Sequence, residues 1–183
     1  IVLLNPDLLF ASEAVERLVS IASDANLGIA SPLLLQDEAG NIDFSCARNN
    51  WTWSMLALES AGLARKRRLR WTFRRSVDVV RSMQYQEVDI ASGAFMAINA
   101  ELFGSGLTEA LPMYLEDQEI CIRAAAFGMK VAVVPAVQAL HLGGASRKRN
   151  TAQQKSLRLM ELAVAPSMAM SLAHPGRYGR TAR

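Results

Sequence analysis

Apolar runs short enough to be β-strands alternate along this chain with stretches whose apolar residues recur at helical spacing, and that alternation confines it to an α/β fold. The first run, Ile1 to Leu4, stops at the turn sequence Asn5-Pro6-Asp7. Ser12 then reads as the N-cap of a helix, since Val15, Leu18, Val19 and Ala22 follow at helical intervals and the pattern closes before Gly28. Two short strands, Ile29 to Leu35 and Ile42 to Ser45, are expected around the turn-rich Asp37-Glu38-Ala39-Gly40-Asn41. From Val88 to Ile98 the pattern is a strand interrupted at Ser92-Gly93-Ala94, where small residues let another backbone or a ligand come close. Glu116-Asp117 open a helix whose inner face is Ile120, Ala124 and Phe127 and whose stop is Gly128. A strand from Lys130 to Val134 follows, then a second extended piece, Val137 to Leu142, in which Val137, Ala139 and His141 share one face.

With 51% hydrophobic residues the chain has far too much apolar content for disorder. Its longest apolar stretch, Val131 to Leu140, is broken by Pro135 and falls well short of the roughly 18 residues of a membrane span. Ile1-Val2-Leu3-Leu4 lacks both an initiator Met and the basic flank of a signal peptide, so the start reads as a cut within a longer chain. Cys46 and Cys121 lie too far apart for a metal-type pairing and read as reduced thiols of a cytoplasmic protein, Cys121 in the core.

Charge is distributed unevenly. Residues 65–75 hold seven basic residues and no acid, and Arg147-Lys148-Arg149 adds three; setting these aside takes the net charge from +3 to −7. An acidic body thus carries two basic spots suited to phosphate. Trp71 and Phe73 among the arginines fit an anionic membrane surface better than single-stranded nucleic acid. The segment 48–86 reads as a variable insertion, and 150–183 as a helical tail with Leu157, Met160 and Val164 on one side.

Three features fall at strand ends or at a helix start, where α/β folds bind ligands. Asp7 is a carboxylate on a rigid turn, a good ligand for a hard divalent cation such as Mg²⁺. Glu116 and Asp117 are neighbouring carboxylates behind Met113-Tyr114-Leu115, an arrangement suited to general-base work. His141 ends a strand and can sit beside a carboxylate-bound metal. Taken singly, each is an ordinary turn, helix cap or structural histidine.

Their order along the chain is more specific. A strand ending in Asn5-Pro6-Asp7, then Ser92-Gly93-Ala94, then Met113-Tyr114-Leu115-Glu116-Asp117 with Arg123 and Gly128, then His141-Leu142-Gly143-Gly144-Ala145-Ser146, resembles the family 2 glycosyltransferases of the GT-A fold. Within them it is similar to the rhamnosyltransferase-like enzymes of polysaccharide and cell-wall synthesis. The resemblance covers residues 1–149 and is poor between 48 and 86. It implies a Rossmann-like mixed sheet flanked by helices, present as a C-terminal fragment without the nucleotide-binding portion. It further implies inverting transfer of a sugar from a nucleoside-diphosphate donor to a saccharide or lipid-linked acceptor at the inner face of the cell membrane. On this resemblance Asp7 and His141 would hold Mg²⁺ or Mn²⁺, with Asn5 standing for the first carboxylate of an Asp-x-Asp motif. Asp117, paired with Glu116, would be the base, and Ser92, Gly93, Ala94, Tyr114 and Arg123 would line the substrate cleft. The chain departs from the family at Thr108 and Pro112, where an aspartate and an aromatic residue are usual, and at Asn99-Ala100, where a basic pair is usual. The alternative is a non-catalytic module that works through the basic segment 65–75.

Overall fold

The computed structural model describes residues 1–43, 45–49, 79–104, 106 and 116–142. Tyr114, the basic segment 65–75, Arg147 to Arg149 and the tail 150–183 lie outside the described residues. The strands are β1 (Val2–Leu4), β2 (Leu8–Phe10), β3 (Leu27–Leu35), β4 (Ala47–Arg48), β5 (Gln86–Glu87), β6 (Ile90–Ala91), β7 (Phe95–Ile98) and β8 (Lys130–His141). The helices are α1 (Ala14–Asp24), α2 (Ala100–Phe103) and α3 (Glu116–Ala126). This is a mixed α/β architecture, as the alternation of patterns predicts.

The main sheet runs β1-β7-β3-β8-β2, with β5 also on β8. Its central pair, β3 and β8, is parallel, and every other pairing is antiparallel. Two-residue periodicity divides β7 between the faces: Phe95 and Ala97 point to the side covered by Ala14 and Leu18 of α1, Met96 and Ile98 to the side covered by Ile120, Cys121 and Ala124 of α3. Helices thus cover both faces, and Leu18, Ile29, Phe95, Met96 and Ile120 are essentially buried. Each such side chain stabilises the fold by about 1.5–3 kcal/mol.

The two extended pieces expected between Lys130 and Leu142 are one strand, β8, with a dislocation. Pro32 opposes Val134, but Leu33 opposes Gln138, so Pro135, Ala136 and Val137 have no counterpart on β3. Prolines flank the shift on both strands, and a residue without an N–H cannot continue a ladder.

Several local expectations are corrected. Glu13, not Ser12, occupies the N-cap of α1 and makes no side-chain cap bond; the Ser12 hydroxyl donates to the Glu13 carboxylate instead. Val19 and Phe127 are exposed, because the apolar stripe of α1 runs through Ala14 and Leu18 and that of α3 ends at Ala124. Of the strand expected from Ile42 to Ser45, the described residues show one bridge, Ile42 to Leu35, and the Asp43 carbonyl accepts from Cys46 N–H. Sequence patterning also missed β2, a three-residue strand right after the Asn5-Pro6-Asp7 turn. The stops are as expected: Gly128 takes φ 72° after α3, and the chain leaves α1 through Asn26 at φ 50°, a left-handed position that asparagine tolerates. Among the described residues no helix is long and apolar enough to cross a membrane.

Candidate functional site

The break between β6 and β7 is the hub of the site. Ser92 is buried, its N–H donates to the Cys46 carbonyl (3.3 Å), and its hydroxyl accepts from Ala94 N–H (3.4 Å). The turn that carries Asp7 hangs from this segment, since Asn5 N–H donates to the Ala94 carbonyl (2.8 Å). Its other end is tied to the end of β8, where Leu142 N–H donates to the Asp7 carbonyl (2.9 Å). Leu8 lies opposite His141 in the β2–β8 register, so Asp7 and His141 are brought together by backbone pairing before their side chains meet.

The His141 ring stands between two carboxylates. Its Nδ1 is 3.0 Å from Asp43 Oδ2 and its Nε2 is 3.6 Å from Asp7 Oδ2. Asp43 is 3% exposed, and its Oδ1 accepts from both Ser45 N–H (2.8 Å) and the Ser45 hydroxyl (2.9 Å). Burial pushes the Asp43 carboxyl up, but the donors from Ser45 and His141 more than reverse this and hold it below the ordinary aspartate value. Asp7 is half-buried, and its Oδ1 is buried without a hydrogen-bond partner among the described residues.

Asp117 lies on the other side of the same hub. It occupies the first turn of α3, where its carboxylate also favours the helix dipole. Oδ2 forms an ion pair with Arg48 Nη2 and accepts from Gly93 N–H at 3.4 Å. Oδ1 is buried and has no partner among the described residues. A Cβ placed on Gly93 would stand 2.9 Å from the Asp117 Cβ, so only glycine admits α3 this close.

Of the remaining expected site residues, Glu116 opens α3 beside Asp117 and is half-buried. Arg123 bonds Glu119 one turn back and donates to the Gly106 carbonyl (2.7 Å), and so ties α3 to the preceding loop. Tyr114 is outside the described residues. The Asn5 backbone, rather than its side chain, makes the contact that anchors the turn.

Two residues escaped sequence reasoning. Asp43 was absorbed into an expected strand, although Asp-x-Ser is a pattern in which the aspartate accepts from the residue two positions on. Arg48 was assigned to the variable insertion, yet it closes β4, whose partner β6 leads directly into the hub. At its far end that insertion also contributes Gln86 to β5.

What defines the molecule is therefore an α/β sheet with two acidic centres joined through Ser92-Gly93-Ala94, one carboxylate–histidine and one carboxylate–arginine. Comparison with models of known protein families finds no match, and comparison with the curated proteins finds none.

No group of three or more His, Cys, Asp or Glu side chains among the described residues is arranged to hold a metal ion. The pair Asp7 and His141 offers two donors, one of them the orphaned Asp7 Oδ1. One carboxylate and one imidazole would leave most of a divalent cation's coordination shell to water and substrate phosphates.

Proposed function

We propose that this chain carries the acceptor-side part of an inverting, metal-dependent glycosyltransferase of GT-A type. The reaction would move a sugar from a nucleoside diphosphate to a saccharide or lipid-linked acceptor in polysaccharide or cell-wall synthesis. The observation that carries this reading is the backbone junction at Gly93 and Ala94: Asp117 packs on the first and the Asp7 turn hangs from the second. A leaving-group centre and a base centre must face one small substrate, and two consecutive residues hold them at this spacing.

In this mechanism Arg48 and Gly93 N–H fix Oδ2 of Asp117, which leaves Oδ1 to take the proton of the acceptor hydroxyl as that oxygen attacks the anomeric carbon. Asp7 and His141 would hold Mg²⁺ or Mn²⁺, and a divalent cation there supplies charge neutralisation for the departing diphosphate. Ser92, Gly93 and Ala94 would border the substrate cleft, as the resemblance implies. The basic segment 65–75 suits an anionic membrane surface, where lipid-linked acceptors reside.

The test is turnover of a panel of nucleoside-diphosphate sugars with Mn²⁺ present, read by mass spectrometry. Asp117→Asn, which keeps the shape of the side chain, is expected to reduce turnover by about 100-fold or more. Unchanged turnover removes Asp117 as the base. Asp7→Ala and His141→Ala are expected to abolish the dependence on metal, and dependence that survives both overturns the metal assignment.

A further inference from the structure

The contact between His141 and the buried Asp43 has a chemical direction. Both Asp43 oxygens are engaged, Oδ1 by the two Ser45 donors and Oδ2 by His141 Nδ1. An ionised carboxylate only accepts, so the hydrogen in the 3.0 Å contact belongs to Nδ1. The ring nitrogen left to bind a cation is then Nε2, which faces Asp7 Oδ2 at 3.6 Å. Two acceptors face each other at a separation too long for a hydrogen bond and shorter than twice a metal–ligand bond of about 2.1 Å. Asp7 Oδ1, buried and unpartnered among the described residues, lies on the same carboxylate.

We infer that Asp43 is a positioning residue: it fixes the His141 ring and its tautomer so that Nε2 and the Asp7 carboxylate present a mixed nitrogen–oxygen pair to a divalent cation. This deepens the reading of the Asp7–His141 pair given above and adds a residue and a selectivity to it. An imidazole nitrogen counts against Mg²⁺, which takes oxygen donors, so a first-row divalent ion is expected to displace Mg²⁺ from the pair. Ser45 acts one step further out, since its two hydrogen bonds stop the Asp43 carboxylate from turning away. Carboxylate–histidine pairs of this kind tune metal affinity by about 10–100-fold.

The experiment is ¹⁵N NMR of the imidazoles in the whole chain, with His141→Gln to separate His141 from His174, followed by Mn²⁺ titration read by electron paramagnetic resonance. The expected result is a hydrogen on His141 Nδ1 shared with Asp43, and Mn²⁺ binding that weakens by about 10-fold or more in Asp43→Asn. Binding is expected to weaken less in Ser45→Ala, and Mg²⁺ is expected to compete poorly. A His141 protonated at Nε2 in the wild-type protein overturns the inference, and that measurement needs no variant to fold. It is equally overturned if the wild type binds no Mn²⁺, or if a folded Asp43→Asn keeps both tautomer and affinity. Neither readout passes through sugar transfer, so a failure of the glycosyltransferase reading is distinguishable from a failure of this one.

Discussion

Gly93 and Asp117 are packed so closely that a methyl group on the first would stand 2.9 Å from the Cβ of the second. Neither side can yield cheaply, because Gly93 sits between two buried strands and Asp117 is fixed to the first turn of α3. Gly93→Ala is expected to destabilise the fold by about 1–3 kcal/mol, the usual cost of overpacking. Urea denaturation measures this directly, and a loss below about 0.5 kcal/mol would show that the helix shifts freely.

The pairing of Arg48 with Asp117 makes a second prediction, and exposure sets its size. Arg48 is 31% exposed and Asp117 15%, so water screens part of the interaction and the several kcal/mol of a fully buried pair do not apply. Arg48→Met is expected to cost about 1–2 kcal/mol at pH 7, because among the described residues it leaves the carboxylate with the long bond from Gly93 N–H alone. Adding Asp117→Asn should restore part of that loss. A double-mutant cycle with no coupling between the two positions would count against the pair.

Asp43 contributes to acid stability. Its carboxyl lies below the ordinary aspartate value in the folded protein, so its contribution is present above about pH 4 and is lost as the pH falls through the folded value. Ser45→Ala removes the hydroxyl donor on Oδ1, keeps the backbone N–H of residue 45, and lets burial push the carboxyl part of the way back up. The variant is expected to be less stable at pH 7 by about 0.5–1.5 kcal/mol and to lose less stability on acidification. Denaturation midpoints between pH 7 and pH 3 check both parts, and parallel curves for the two proteins would contradict the role of Ser45.

The two cysteines are predicted to be inert while the chain is folded. Burial pushes Cys46 up to about 11 and Cys121 up to about 12. At pH 8 the thiolate fraction is then about one in a thousand or less. A colorimetric thiol reagent should find no reactive thiol in the native protein and both after denaturation. Rapid native labelling would mean that the core around Ala91, whose carbonyl accepts from Cys121, opens readily.

Features set by local chemistry were legible in the sequence. Gly128 after α3, the small triplet between two apolar runs and the helix opening on Glu116-Asp117 all follow from short-range rules about backbone freedom and dipoles. The meeting of Asp7 with His141 was legible only as motif order, since the pairing that produces it joins β2 to β8 across more than a hundred residues. Asp43 and Arg48 were not legible in their roles. An aspartate inside an apolar stretch and an arginine at the edge of a basic region carry no periodic signal, and their importance comes from partners at positions 141 and 117. Phe127 shows the opposite error: helical spacing placed it inward, but the stripe that packs on the sheet ends at Ala124 and the helix at Ala126, which leaves Phe127 exposed.

The dislocation of β8 at Pro135 has a kinetic consequence. The half before it, Val131 to Val134, is fully buried and aligned with β3, whereas the half after it carries His141 and takes β2 as a neighbour. Both halves are laddered to β3, Gln138 to Leu140 on Leu33 to Leu35, but the ladder is interrupted between them. The second half, with the Asp7–His141–Asp43 cluster, is therefore expected to exchange its amide protons independently of the first.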